Sequence, residues 1–435
     1  MNLSQSGISR KILWIAVLAL VARLSFIALN PRPLYSDELD YQKLAVTLST
    51  EHRYALDTVP TAYRPVGYPA FVAVVYLLAG VNPAIVKIVQ AILDSMIVLL
   101  LPLLIPDSPE RTKVLVALFW SFFPPAILFA NLLMTETLYT TLCVALAVLY
   151  VSGREDRVGS QILLGIDCGL LALLKPASGI FCLAIVLYEW LFRKSAKSAV
   201  VIGISCVLVV LPWAARNWSV IGEPAISTSS GMNLLIGNNP NANGSYTAKF
   251  DFPELTEAPG EAMKDGMAFR LATGYIFSHP GLFAANGVKK FAHLFSTESF
   301  LIVSQFSRSS GDIEMPLAKK YATVSPFLSF AVNIPYFTLL ILGWLGFLTN
   351  GENRLTHLFA LFLGSLVLVH LITFGGNRFH FPLMPFCGLF ASVFMTSTRL
   401  KTLLAMTRMK QLCIVLPVMA VISVWIVELV LLTRA

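Results

Sequence analysis

Charge is what this 435-residue chain has least of. Asp, Glu, Lys and Arg make up 13% of it, against 56% for apolar residues, whereas soluble domains carry nearer a quarter charged residues. That scarcity overrides the two or three soluble domains that length alone suggests. Cysteine is sparse too. Cys143, Cys168, Cys182, Cys206, Cys387 and Cys413 all fall in apolar segments without metal-type spacing, so they read as small buried hydrophobes and not as a disulfide framework. No internal repeat is evident, which weakens an inverted-repeat transporter. The net charge of +8 comes with no basic-aromatic stripe, and no nucleic-acid partner is expected. Most basic residues sit in short clusters between apolar runs, as membrane topology requires.

What is there is a series of stretches, each about 20 apolar residues long, enough to cross a hydrocarbon core of about 30 Å as a helix. Spans are expected near 12–29, 83–105, 113–132, 136–152, 160–174, 177–193, 198–215, 325–348, 356–374, 380–398 and 411–432, an all-α polytopic membrane protein with about eleven crossings. The first run follows Arg10 and Lys11, is too long for a signal-peptide core, and reads as a retained helix. A twelfth apolar stretch, 66–81, is short and follows Pro65 and Gly67. If it does not cross, basic clusters at 10–11, 111–113, 154–157, 193–197, 354 and 399–410 all face the side of the N-terminus. That is a strong positive-inside bias with a cytoplasmic N-terminus; a crossing would reverse it. Stretch 66–81 is therefore expected to be re-entrant or interfacial. A first loop, 30–82, and a long segment, 216–324, then lie outside.

The polar residues at the outer breaks carry the candidate chemistry. In Tyr35-Ser36-Asp37-Glu38-Leu39-Asp40-Tyr41, Ser36 can cap a helix whose first turn is acidic. Alternatively, Asp37 and Glu38 act as a base or as metal ligands. Arg64, at the break before Pro65, is an interfacial anchor or a phosphate clamp. Thr135-Glu136 opens a span as a cap or as a site residue. Lys175-Pro176 and Asn377-Arg378-Phe379-His380 are cations that run against the topology bias and suit an anionic group at the bilayer edge. Ser227–Gly244, which holds Gly237-Asn238-Asn239-Pro240, favours turns, while its amides also suit hydroxyl-rich ligands. Inside the spans, Arg23, Asp94 and Asp167 are costly charges, for which an interhelical ion pair is expected.

Taken in order, these motifs resemble the GT-C superfamily of polyprenyl-phosphate-sugar glycosyltransferases, and within it glycosyltransferase family 39. Asp37-Glu38 with Tyr41 and Ala45 resembles the family's first-loop acidic motif. Arg64-Pro65-Val66-Gly67-Tyr68-Pro69 resembles its PPGYP re-entry, with Val66 where Pro is usual. Thr135-Glu136, Lys175-Pro176, Arg216-Asn217-Trp218, Gly237-Asn238-Asn239-Pro240, His279-Pro280 and Arg378-Phe379-His380-Phe381-Pro382 follow in register. Unlike in many relatives, no soluble C-terminal domain is expected after the last span.

The resemblance implies a GT-C-like bundle whose outer loops carry the active site. It implies transfer of a sugar from a polyprenyl (undecaprenyl-type) phosphate to an envelope glycan, lipid or protein, with inversion, at the outer face of a bacterial inner membrane. Asp37 is the expected base. Glu38 orients it or helps hold a divalent metal ion, the only cofactor expected. Arg64, Lys175 and Arg378 are expected on the lipid phosphate, and Tyr41, Glu136, Asn238, Asn239 and His380 near sugar or acceptor. The main alternative is a transporter or flippase for a lipid-linked sugar; it needs functional charge on both faces, and here the polar turns gather on one.

Overall fold

The computed structural model describes residues 8–152, 158–247, 252–307, 315, 317–397 and 408–433. The basic residues expected at 154–157 and at 399–401 lie outside them. The chain is helical almost throughout. α1 (Arg10–Leu29) is followed by α2 (Asp37–Glu51), a hairpin of β1 (Ala55–Leu56) and β2 (Val59–Pro60), α3 (Gly67–Ala79) and α4 (Pro83–Leu100). In the hairpin Ala55 pairs with Pro60 and Leu56 with Val59, antiparallel. α5 (Glu110–Ser121) and α6 (Pro124–Ala130) come next, then α7 (Thr135–Ser152), α8 (Val158–Leu174), α9 (Ser178–Leu191) and α10 (Ala196–Ile221). The long segment folds as α11 (Ser230–Gly237), α12 (Pro253–Glu257), α13 (Glu261–Ser278), α14 (Pro280–Leu294), α15 (Ser299–Phe306) and α16 (Leu317–Ala322). α17 (Pro326–Thr349), α18 (Arg354–Ile372), α19 (Met384–Thr396) and α20 (Arg408–Thr433) follow.

Every apolar stretch expected to span is helical, but the lengths differ from expectation. Among the described residues, six helices are long and apolar enough to cross a bilayer: α1, α4, α7, α10, α17 and α18. The pair α5–α6 makes a seventh, bent by 49°. The bend falls where Phe123 precedes Pro124 and Pro125, which lack the amide hydrogens that would continue the helix. α3, α8, α9, α19 and the Val418–Glu428 part of α20 are shorter apolar helices. α3 has 13 residues, about 20 Å at 1.5 Å per residue, well short of a 30 Å core.

Burial shows what solvent this fold needs. Trp14 on α1 and Val200, Ile204 and Leu208 on α10 are more than half exposed. Such faces are unfavourable in water but match hydrocarbon, where helices satisfy their own backbone. Inside the bundle, the ion pair expected for Arg23 and Asp94 is present, both side chains being fully buried. Arg23 also donates to the carbonyls of Ala19, Ser121 and Trp120, tying α1 to α5. Asp167 departs from that expectation. It joins no ion pair among the described residues, and its Oδ1 is buried without a hydrogen-bond partner.

Candidate active site

The site is built from chain breaks, not helix middles. Ser36 stands at the N-cap of α2, but its hydroxyl makes no capping bond and its φ is +48°. That is a conformation costing on the order of 1–3 kcal/mol for a residue other than glycine. The expected serine cap is therefore absent, because the backbone turns the other way. The three acidic residues of the first turn are held by arginines as well as by the helix dipole.

Glu38 is buried, and Arg32 grips it bidentately, with both N–O distances 2.8 Å. It also accepts from the backbone N–H groups of Leu133 at 2.8 Å and Tyr35 at 3.2 Å. Glu38 thus fastens the first loop to the turn before α7. Its lone pairs are committed to these donors.

Asp37 has a different set of partners. Its Oδ1 accepts from Arg64 Nη2 at 2.6 Å, and its Oδ2 from Arg378 Nη1 at 2.8 Å. Arg64 also donates to Asp40 Oδ2, from Nη2 at 2.8 Å and Nε at 3.1 Å. Burial alone would raise the Asp37 carboxyl, but the charges and hydrogen bonds of Arg378 and Arg64 outweigh it and hold it at about 2. Arg64 Nη1 and Arg378 Nη2 and Nε form no hydrogen bond among the described residues, and both side chains are partly exposed.

Three more breaks meet here. Lys175 donates to Glu136 at 3.2 Å and lies over the rings of Tyr139 and Phe379. Arg378 lies over Phe379 and Phe300, and Arg64 over Tyr41 and Tyr63. Burial, and then the charge of Asp37, push the Tyr41 phenol well above its ordinary range, so Tyr41 is a neutral hydroxyl. The close join depends on Gly67. A Cβ there would stand 2.7 Å from the carbonyl oxygen of Leu173, at the end of α8 beside Lys175. The glycine lets α3 begin against that carbonyl.

The structure thus gathers Asp37, Arg64, Arg378, Tyr41, Glu136 and Lys175, and leaves the other candidates elsewhere. His380 is fully buried between the Leu294 carbonyl at 2.7 Å and Glu298 at 3.0 Å. Asn238 and Asn239 are buried as well. Their amides donate to the carbonyls of Leu234 and Leu235 at the end of α11, where a helix leaves carbonyls without partners. Asn238 further accepts from Lys290 Nζ at 2.8 Å. The site residue that the sequence reading passed over is Asp40. Its signal was its spacing: three residues after Asp37, it lies on the same face of α2.

A metal at Asp37 and Glu38 does not fit this arrangement. Each carboxylate is bound by its own arginine or arginines, and among the described residues no three His, Cys, Asp or Glu side chains form a group able to hold an ion.

No family model and no curated protein matches the chain. Solved structures do. The Archaeoglobus fulgidus oligosaccharyltransferase tethered to an acceptor peptide is 13% identical, with a TM-score of 0.49 over 97% of this chain and 55% of that one. The same organism's AglB in complex with an inhibitory peptide and a dolichol-phosphate gives 12% and 0.47. ArnT from Cupriavidus metallidurans bound to undecaprenyl phosphate is 12% identical, with a TM-score of 0.42 over 86% of this chain and 77% of that one. The chain spans about half the length of the oligosaccharyltransferase. An oligosaccharyltransferase and an ArnT are thus the kinds of protein that this all-α membrane fold resembles.

Proposed function

We propose that the chain is a membrane glycosyltransferase that moves a sugar from a polyprenyl phosphate to an acceptor hydroxyl at the outer face of the membrane. One observation carries the reading: Arg64 and Arg378, from opposite ends of the chain, converge on Asp37 with unused guanidinium donors beside it. A fork of free N–H groups suits a phosphate. A carboxylate beside it suits the one proton transfer that the reaction needs.

The acceptor oxygen forms a bond to the anomeric carbon as the bond from that carbon to the phosphate oxygen breaks. The hydroxyl proton passes to Asp37, and the polyprenyl phosphate leaves with one more negative charge. A phosphate needs no acid to leave, so a single displacement with one base suffices, and it inverts the anomeric centre. Arg64, Arg378 and Lys175 stabilise the growing charge. Glu136 holds Lys175 in place. The polyprenyl tail stays among the apolar helices while the phosphate sits at their outer ends.

The test has two stages. Envelope glycans and glycolipids are compared in cells with and without the protein; the missing sugar identifies donor and acceptor. Transfer is then measured with that donor for wild type and Asp37→Asn. Near-normal transfer by an inserted Asp37→Asn chain would sink the base assignment. Movement of the lipid-linked sugar across the membrane without bond formation would favour a flippase instead.

A further inference from the structure

Asp37 and Asp40 stand one turn apart on α2 and hold the same arginine in different ways. Asp37 receives only Nη2 of Arg64, and its other oxygen is taken by Arg378. Asp40 receives both Nη2 and Nε on one oxygen. Nε is the guanidinium nitrogen nearest the main chain, so Arg64 can turn its outer N–H groups away from Asp37 while Nε keeps its bond to Asp40. Asp40 is also the more exposed of the two: its side chain is 33% exposed, against 19% for Asp37.

Both oxygens of Asp37 are bound to cations, and a carboxylate so held is a weak base. A phosphate ester entering between Arg64 and Arg378 wants the same guanidinium groups. We propose that Asp40 is a positioning residue: it retains Arg64 in the site while a phosphate draws that arginine off Asp37, so that Asp37 becomes a competent base only once the donor is bound. This rests on the donor reading above and adds an order of events, donor before acceptor.

The two carboxylates then act on phosphate binding with opposite signs. Asp37 competes with the phosphate for the arginines, whereas Asp40 prepares one of them. A general electrostatic effect would make both aspartates oppose an anion, and a loss of structure would make both substitutions harmful.

The experiment is binding of a polyprenyl monophosphate, without sugar, to the full chain in nanodiscs of uncharged lipid at neutral pH. Asp37→Asn, or Asp37→Ala should the amide not be recovered, is expected to tighten binding about ten-fold, an ordinary coupling between two sites. Asp40→Asn is expected to weaken it about three-fold, because a neutral acceptor holds a guanidinium less strongly than a carboxylate. Asp40→Glu is expected to restore it. Shifts of the same sign for Asp37→Asn and Asp40→Asn, or no shift for Asp37→Asn, overturn the proposal and leave the donor reading standing. Absence of binding by the wild type and by both Asp37 variants overturns both.

Discussion

Asp37 and Arg378 are 341 residues apart in the chain and 2.8 Å apart in the fold. Their pairing closes the candidate site, and it sets the first prediction. Arg378→Lys keeps the charge but not the planar fork, nor the stacking over Phe300 and Phe379. Transfer is expected to fall about 100-fold, the range for losing one preorganised donor to a developing anion, with expression and thermal stability near wild type. Steady-state rates with the identified donor check it.

The acid limb of stability follows from the same carboxylate. The Asp37 carboxyl is lowered in the folded chain, from 3.8 to about 2, so the stability that this contributes is full above pH 3.8 and is lost as pH falls through about 2. The amount is about 2 kcal/mol. Thermal unfolding in detergent between pH 5 and pH 2 is expected to show a drop that Asp37→Asn lacks.

Glu38 is expected to behave unlike its neighbour. Glu38→Ala leaves Arg32 buried without its partner, which costs about 3–5 kcal/mol, and frees the Leu133 amide. Its loss of activity should therefore track loss of folded protein. Arg32→Met combined with Glu38→Leu is expected to recover part of the stability, measured as a double-mutant cycle in melting temperature. Asp37→Asn is expected to show the converse pattern, with activity lost and fold kept.

Gly67→Ala is expected to lower both stability and rate. The added methyl meets the Leu173 carbonyl at 2.7 Å, and the overpacking costs about 1–3 kcal/mol. Because Leu173 precedes the Lys175 turn, the rate loss should appear mainly as weaker donor binding. Comparison of KM and kcat checks this.

Much of this was legible in the chain itself. Long apolar runs mark helices because only a helix satisfies its backbone in hydrocarbon, and each of the expected spans is helical. Asp37, Arg64, Glu136, Lys175 and Arg378 were visible as charges at breaks in the apolar runs. What stayed hidden was direction. Arg378 faces Asp37 while His380, two residues on, faces Glu298 in the core. The turn at 377–380 leading into the short 3-10 helix at Phe381–Leu383 has no periodicity from which to read that. The amides of Asn238 and Asn239 looked suited to a sugar, yet the open carbonyls at the end of α11 claimed them. The link between Glu38 and Arg32 was obscured by the prolines on either side of Arg32, which give no regular spacing. The span expected at 113–132 was overread because Pro124 and Pro125 interrupt a helix that composition alone runs together.

The join between Asp37 and Arg378 also bears on how the protein is made. Asp37 is synthesised 341 residues before Arg378, so over that interval the nascent chain carries a carboxylate that lacks one of its two arginines. The pair of arginines around Asp37 is therefore completed only after the turn at 377–380 has been made.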